Sequence, residues 1–109
     1  MAFDIEKEYQ NLEESIRAYN PNADFAHIRL AFEYARGKHD GQSRKDGSPY
    51  IMHPLAVAAI VAELHLDSES IMAALLHDCI EDTDATHEEI AKIFSPSVAE
   101  LVEGVTKLT

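Results

Sequence analysis

Residues 75–83 constrain the fold more than any other part of the sequence, because an apolar run meets a polar cluster there. Residues 71–76 are all apolar and predict a buried helix, which we expect to run from about Ser68 to Cys79 or Ile80. Four ionisable side chains stand within six residues at its end: His77, Asp78, Glu81 and Asp82. Residues four apart share a helix face, so the histidine lies above the glutamate and the first aspartate above the second. A continuous helix therefore presents one broad polar face.

Carboxylates beside a buried helix need a partner, because an unpaired charge removed from water is strongly destabilising. Imidazole nitrogen and carboxylate oxygen together suit a divalent transition metal. The alternative interpretation is a solvated helix end, although acids near a helix C-terminus oppose the macrodipole. An adjacent His–Asp pair is common by chance. A metal site therefore needs a second contributor elsewhere in the chain.

His53 is that second contributor. It directly precedes Pro54 at the start of an apolar stretch, residues 50–64. Proline suits the first turn of a helix, where its missing N–H is not needed. The stretch is apolar nearly all round, which predicts a central helix. A lone histidine at such a position is usually structural, but its combination with the later acidic face favours a role as a metal ligand.

The polar segment 40–49 predicts a loop of about ten residues, which is long for a small helical domain. It contains two glycines, a proline and the adjacent basic residues Arg44 and Lys45. Long ordered loops often have functional roles. A flexible surface turn explains the same composition equally well, so the pattern leaves both interpretations open.

Hydrophobic periodicity predicts an all-α domain of about six helices, without strands or internal repeats. The predicted helices cover residues 5–19, 23–38, 50–64, 68 to 79 or 80, 86–94 and 95 onward. Asp4 is a plausible cap for the first helix, and Thr86 has capping-box spacing to Glu89. We expect His27 on a solvated or partly buried flank, without a role in the site.

Composition limits the classes of function. A chain of 109 residues fits one small domain, and its net charge of -11 argues against a nucleic-acid or anionic-membrane surface. The single cysteine, Cys79, excludes an intrachain disulfide and suits a reducing compartment such as the cytoplasm. No apolar run approaches ~20 residues, and the first residues lack the features of a signal peptide. We therefore expect a cytoplasmic protein that does not act on membranes or nucleic acids.

Six motifs occur in order along the chain: His39-Asp40-Gly41-Gln42, Arg44, Gly47-Ser48-Pro49-Tyr50, the segment 53–58, the segment 75–83, and Gly104-Val105-Thr106-Lys107-Leu108-Thr109. Together they closely resemble the N-terminal hydrolase domain of the RelA/SpoT homologues, within the HD metallohydrolase superfamily. The resemblance runs from about Tyr34 to the last residue. The first two helices fit it without a motif.

The resemblance implies a metal-dependent hydrolase of the stringent response. The family cleaves (p)ppGpp, a guanosine nucleotide with a pyrophosphate on its 3′ oxygen, to GDP or GTP and pyrophosphate, usually with Mn²⁺. It implies the following roles in this chain: His53, His77 and Asp78 as metal ligands, Glu81 and Asp82 in water activation and catalysis, and Arg44 with the adjacent Lys45 at the substrate. Members that have lost hydrolysis typically lack the His-Asp and Glu-Asp pairs. Both pairs are present here, as in the hydrolase-competent members.

The chain departs from the family pattern at its end. In the family, a fourth metal ligand, an aspartate, comes from a helix beyond the Gly-Val-Thr-Lys motif. We therefore expect residues 1–109 to be the N-terminal part of an HD-type (p)ppGpp hydrolase domain whose C-terminal part is missing. By itself such a chain is expected to bind metal weakly or not at all, and to hydrolyse (p)ppGpp very slowly or not at all.

The same departure predicts uncovered apolar surface and self-association through it. The apolar side chains expected to remain poorly enclosed are Ile60, Leu64, Leu76, Ile80, Val98, Leu101, Val102 and Val105. Two other functions stay open. One is a non-catalytic HD-fold module for interaction or regulation, and the other is an HD phosphohydrolase that acts on another nucleotide. The loop at Arg44 and the Glu81-Asp82 pair favour (p)ppGpp over the latter.

Overall fold

The computed structural model describes residues 4–108, with side chains described through residue 105. Its helices are α1 (Ile5–Tyr19), α2 (Phe25–Lys38), α3 (Met52–Glu63), α4 (Ser68–Leu76), α5 (Cys79–Asp82), α6 (His87–Ile93) and α7 (Pro96–Leu108). Six of these have at least seven residues, and α5 is a single turn of four. The described residues contain no β-strand, only an isolated bridge between Ser43 and Pro49. The all-α prediction with about six helices is confirmed. Thr109, the last residue of the final motif, lies outside the described residues.

Side-chain caps set where most of the helices begin. The capping residues are Asp4 for α1, Asp24 for α2, Asp67 for α4 and Thr86 for α6. The prediction that α2 begins at Ala23 is wrong by two residues, because the Asp24 carboxylate accepts the backbone N–H of His27 and so fixes the start at Phe25. The caps predicted at Asp4 and Thr86 are confirmed.

The helix predicted to continue from Ser68 to Cys79 or Ile80 is interrupted. α4 ends at Leu76, a turn follows at residues 77–78, and α5 begins at Cys79. His77 Nδ1 lies 2.7 Å from the carbonyl oxygen of Ala74, the acceptor that a continuing helix would use for its next backbone bond. A side chain that takes this carbonyl competes with the helical ladder. The expected continuous polar face is therefore divided at the turn.

α4 is the centre of the fold. It packs against α2, α3 and α7, and every residue from Ile71 to Leu76 is buried. α3, which its apolar pattern predicts to be central, is buried on one face only. On its other face Ile60 and Leu64 are 58% and 66% exposed. The core therefore forms around the helix that leads directly to His77 and Asp78.

The predicted set of uncovered apolar side chains is only partly correct. Leu76, Val98 and Val102 are fully buried, because α7 packs on α4. Ile60, Leu64 and Leu101 are exposed as predicted. In the described part of the chain, no helix has both the length and the apolar character needed to cross a membrane.

Candidate metal centre

The structure brings His53, His77 and Asp78 together. His53 is the second residue of α3, and the other two form the turn between α4 and α5. Asp78 Oδ2 lies 3.4 Å from His53 Nε2 and 3.2 Å from His77 Nε2. One potential ligand atom from each residue lies within 4.8 Å of the others, and this is the one such group of three or more among the described residues. The packing of α3 against α4 thus assembles the predicted ligand set.

The hydrogen bond of His77 determines which nitrogen faces the cluster. A carbonyl oxygen can only accept, so Nδ1 of His77 carries the hydrogen that is donated to Ala74. In the neutral ring this leaves the Nε2 lone pair towards Asp78 Oδ2. Two electron-rich atoms at this distance repel each other unless a cation lies between them. A proton or a metal ion satisfies that requirement, so the donor set fits a divalent metal.

His53 has an environment that favours its neutral form. Burial lowers the pKa of His53 below 6.5, and the charges of His77 and Arg44 act in the same direction, whereas those of Asp78 and Asp82 oppose the shift. Its ring meets that of His77 edge to face at 5.3 Å between centroids. A neutral imidazole has a free lone pair, which is the form that binds metal.

Tyr50 connects the two aspartates, and no role was assigned to it from the sequence. Its hydroxyl lies 3.0 Å from Asp78 Oδ2 and 3.1 Å from Asp82 Oδ2. Burial raises the pKa of Tyr50, and the hydrogen bonds and charges of both carboxylates add to the effect. The neutral hydroxyl is therefore the donor in both contacts. Its place in a motif beside Pro49 was the only sequence signal for this position.

The predicted catalytic residues Glu81 and Asp82 are the last two residues of α5. Asp82 reaches the cluster through Tyr50, and its backbone N–H donates to the carbonyl oxygen of Asp78 at 3.0 Å. The side chains of both residues are exposed to solvent. Among the described contacts, Asp82 is the carboxylate of the pair that is joined to the cluster.

The basic residues of the loop lie beside the centre. Arg44 and Lys45 line a depression of about 540 Å³, together with Tyr50 and His53. The loop has a defined internal structure, since the Arg44 N–H donates to the Ser48 carbonyl at 2.9 Å. Two cations therefore line the same depression as the candidate metal ligand His53.

A second set of contacts joins the loop to α5 and to a buried histidine. Gln42 Nε2 donates to the backbone carbonyl of Asp82 at 3.1 Å, and its Oε1 lies 3.2 Å from Nδ1 of His39. His39 is buried, and its ring packs against Tyr50 with centroids 4.6 Å apart. His39 and Gln42 belong to one of the sequence motifs, but the sequence predicted no function for them, because periodicity does not show contacts between distant segments.

Known proteins that are similar to this chain show its family. Residues 31–109 match the model of the HD domain family. The chain is similar to the bifunctional (p)ppGpp synthase/hydrolase SpoT of Escherichia coli K12, with 52% identity over 100 residues, 92% of this chain and 14% of that protein. It is also similar to the GTP pyrophosphokinase rsh of Brucella ovis, with 50% identity over 97 residues, 89% of this chain and 13% of that protein.

A solved structure is also similar to this chain. It is described as a metazoan ortholog of SpoT that hydrolyzes ppGpp and plays a role in starvation responses, and it aligns with a TM-score of 0.68 and 41% identity over 72% of this chain and 47% of that chain. The chain belongs to the HD domain family and is a homologue of the SpoT and Rsh proteins, which confirms the resemblance. It spans about one-seventh of the length of the curated relatives, at 14% and 13%.

Proposed function

We propose that residues 1–109 form the N-terminal part of an HD-type domain that hydrolyses the 3′-pyrophosphate of (p)ppGpp to GDP or GTP and pyrophosphate. The observation that supports this most is the position of His53, His77 and Asp78 next to two cations of a loop. The activities named for the relatives give the substrate class, since one is called a (p)ppGpp synthase/hydrolase and another a guanosine-3′,5′-bis(diphosphate) 3′-pyrophosphohydrolase.

In this proposal His53, His77 and Asp78 hold the metal, for which we propose Mn²⁺. A divalent ion bound there would lower the pKa of water and polarise a phosphoryl oxygen. Asp82 lies one turn from Asp78 and can take a proton from the attacking water or orient it, and Glu81 supports this as a second carboxylate. Because Asp82 lies near the proposed ligand Asp78, it is suited to contact the attacking water itself.

Arg44 and Lys45 offset the repulsion between the anionic substrate and the acidic protein. The chain has a net charge of -11, so an anionic nucleotide is repelled by the protein as a whole. Two adjacent cations at the depression offset that field locally, and arginine can hold a phosphate through two parallel hydrogen bonds. We therefore propose that the loop binds the phosphates of the substrate beside the metal centre.

A chimera tests the reaction itself. The 100 matched residues of the E. coli relative are replaced by those of this chain, and pyrophosphate release from ppGpp is measured with Mn²⁺. Cleavage by the chimera is expected, as is a loss of at least about 100-fold in the Asp82→Asn chimera, since general acid–base groups contribute at least that much. The synthase activity of the relative reports folding of the rest of the protein and is expected to persist.

The other functions predict different results. A chimera that retains synthase activity and binds Mn²⁺ but leaves ppGpp intact would contradict the proposal. Cleavage of another nucleotide by that protein would indicate a different HD phosphohydrolase. Failure to bind metal at all would favour a non-catalytic module for interaction or regulation.

A further inference from the structure

We propose that Tyr50 is a positioning residue, which holds Asp78 and Asp82 in the arrangement that the candidate metal centre needs. The inference rests on the proposed function, because it concerns the same site. Its basis is a hydroxyl that reaches the Oδ2 atoms of both carboxylates, at 3.0 and 3.1 Å.

The two aspartates need such a donor. Asp78 directly precedes α5 and Asp82 ends it, so the two carboxylates lie one turn apart and repel each other. A phenol has one hydrogen, so Tyr50 shares it between the two acceptors in a three-centre bond. The oxygen that it contacts on Asp78 is the one that faces both histidines. The hydroxyl therefore fixes the rotamer in which that oxygen points towards the candidate ligand nitrogens.

Tyr50 is itself held from several directions. Its backbone N–H donates to the carbonyl of Gln42 at 3.1 Å, and its carbonyl accepts the N–H of His53 at 3.0 Å. The ring packs against the buried ring of His39 at 4.6 Å. A group that orients a metal ligand is effective only when its own position is fixed, and these contacts fix the phenol.

The position of Tyr50 also links two parts of the site. It lies directly between the loop of residues 40–49 and the start of α3, and it lines the depression that contains Arg44 and Lys45. Its hydroxyl therefore ties the loop that contains Arg44 and Lys45 to the carboxylates of Asp78 and Asp82. Gln42 makes a separate tie to the backbone of Asp82, so loss of the phenol hydroxyl alone leaves the loop attached.

Tyr50→Phe tests the inference, because it removes the hydroxyl and keeps the ring that packs on His39. Tyr34→Phe is the matched control, since Tyr34 is also half-buried and its hydroxyl donates to a carboxylate, that of Glu89, away from the cluster. Mn²⁺ affinity of the 109-residue chain is measured by electron paramagnetic resonance of the free ion, and the melting temperature Tm is measured without metal.

We expect Tyr50→Phe to weaken Mn²⁺ binding about 10-fold or more, the range seen when groups that orient metal ligands are removed. Tyr34→Phe is expected to leave the affinity unchanged, although both variants lower Tm. Equal Mn²⁺ affinities in the two variants would show that the hydroxyl of Tyr50 is only structural. Where the 109-residue chain binds no Mn²⁺, the two variants are compared in the chimera, and absence of Mn²⁺ binding by the unchanged chimera would overturn the inference and the metal centre together. Failure of the chimera to cleave ppGpp would contradict the proposed function without affecting the metal measurement.

Discussion

His77 donates its Nδ1–H to the carbonyl oxygen of Ala74 across 2.7 Å, at the point where α4 ends. The same hydrogen bond has two consequences. It interrupts the helical ladder, which places Asp78 in a turn, and it leaves Nε2 of His77 to face that aspartate at 3.2 Å. The end of the central helix and the orientation of a candidate ligand therefore have one physical cause.

His77→Ala is expected to abolish binding of Mn²⁺ to the chain. The centre offers two nitrogens and one carboxylate, whereas manganese prefers oxygen ligands, so binding by the unchanged 109-residue chain should already be weak. Electron paramagnetic resonance of free Mn²⁺ measures the Mn²⁺ affinity of the variant and of the unchanged chain. His27→Ala is the control, because His27 is exposed and pairs with Asp24 instead. Tight one-to-one binding that survives His77→Ala would show that the ligands lie elsewhere.

Arg44→Ala is expected to weaken nucleotide binding while stability hardly changes. The side chain is exposed in the loop, and substitutions at such positions usually change the free energy of unfolding by less than about 0.5 kcal/mol. Binding of ppGpp and Tm are measured for this variant and for Lys92→Ala, which removes an exposed cation from α6. A large drop in Tm with normal nucleotide binding would show that the arginine is structural.

Gly47→Ala is expected to destabilise the loop by roughly 1–2 kcal/mol, because an L residue is strained at the positive φ of this position. The observed φ of Gly47 is 87°. Gly37→Ala has the opposite expectation, a gain of roughly 0.5–1 kcal/mol, since Gly37 is helical. No atom lies within 4 Å of an added Cβ there. Urea unfolding of the two variants checks the sign of each change, and a neutral Gly47→Ala would contradict the loop conformation.

Asp67→Ala is expected to lower the free energy of unfolding by about 1 kcal/mol at neutral pH, because Asp67 caps α4. The hydrogen bonds from Ser70 lower the pKa of Asp67 below 3.8. A depressed carboxyl pKa stabilises the fold above the unfolded value, and this contribution is lost as pH falls through the folded value.

The difference between Asp67→Ala and the unchanged chain should therefore narrow below a pH of 3.8. Asp67→Asn is the control, because asparagine caps nearly as well and does not titrate. Urea unfolding at neutral and at acidic pH measures the free energy of unfolding of both variants and of the unchanged chain. A difference that is constant over this range would show that the carboxylate charge does not contribute.

Ile60 and Leu64 are expected to promote weak self-association. Ile60 lies in the last turn of α3 and Leu64 directly follows the helix, and these two large apolar side chains are 58% and 66% exposed. Sedimentation velocity at several concentrations should show association that the double variant Ile60→Gln, Leu64→Gln removes. Leu30→Gln on α2 is the control, since Leu30 is a separate exposed leucine. A chain that stays monomeric at all concentrations would contradict the prediction.

Much of the fold could be predicted from the sequence because its signals are local. α1 has the predicted bounds, since apolar residues recur at helical spacing between the Asp4 cap and the break at Asn20. The start of α6 at His87, directly after the Thr86 cap, follows from capping chemistry in the same way. The chemical types of His53, His77 and Asp78 also indicated a metal centre before any distance was known.

The tertiary structure decided what depends on contacts between distant segments. Residues 53 and 78 are brought together by the packing of α3 on α4, which no periodicity encodes. Tyr50 meets Asp82 across 32 positions in the sequence, and this contact has no local pattern. The break after Leu76 depends on a side-chain bond that outcompetes a backbone bond. The sequence by itself thus determined most of the helices and the chemical types of the candidate ligands, whereas only the packed chain decided which atoms converge, because convergence depends on long-range burial.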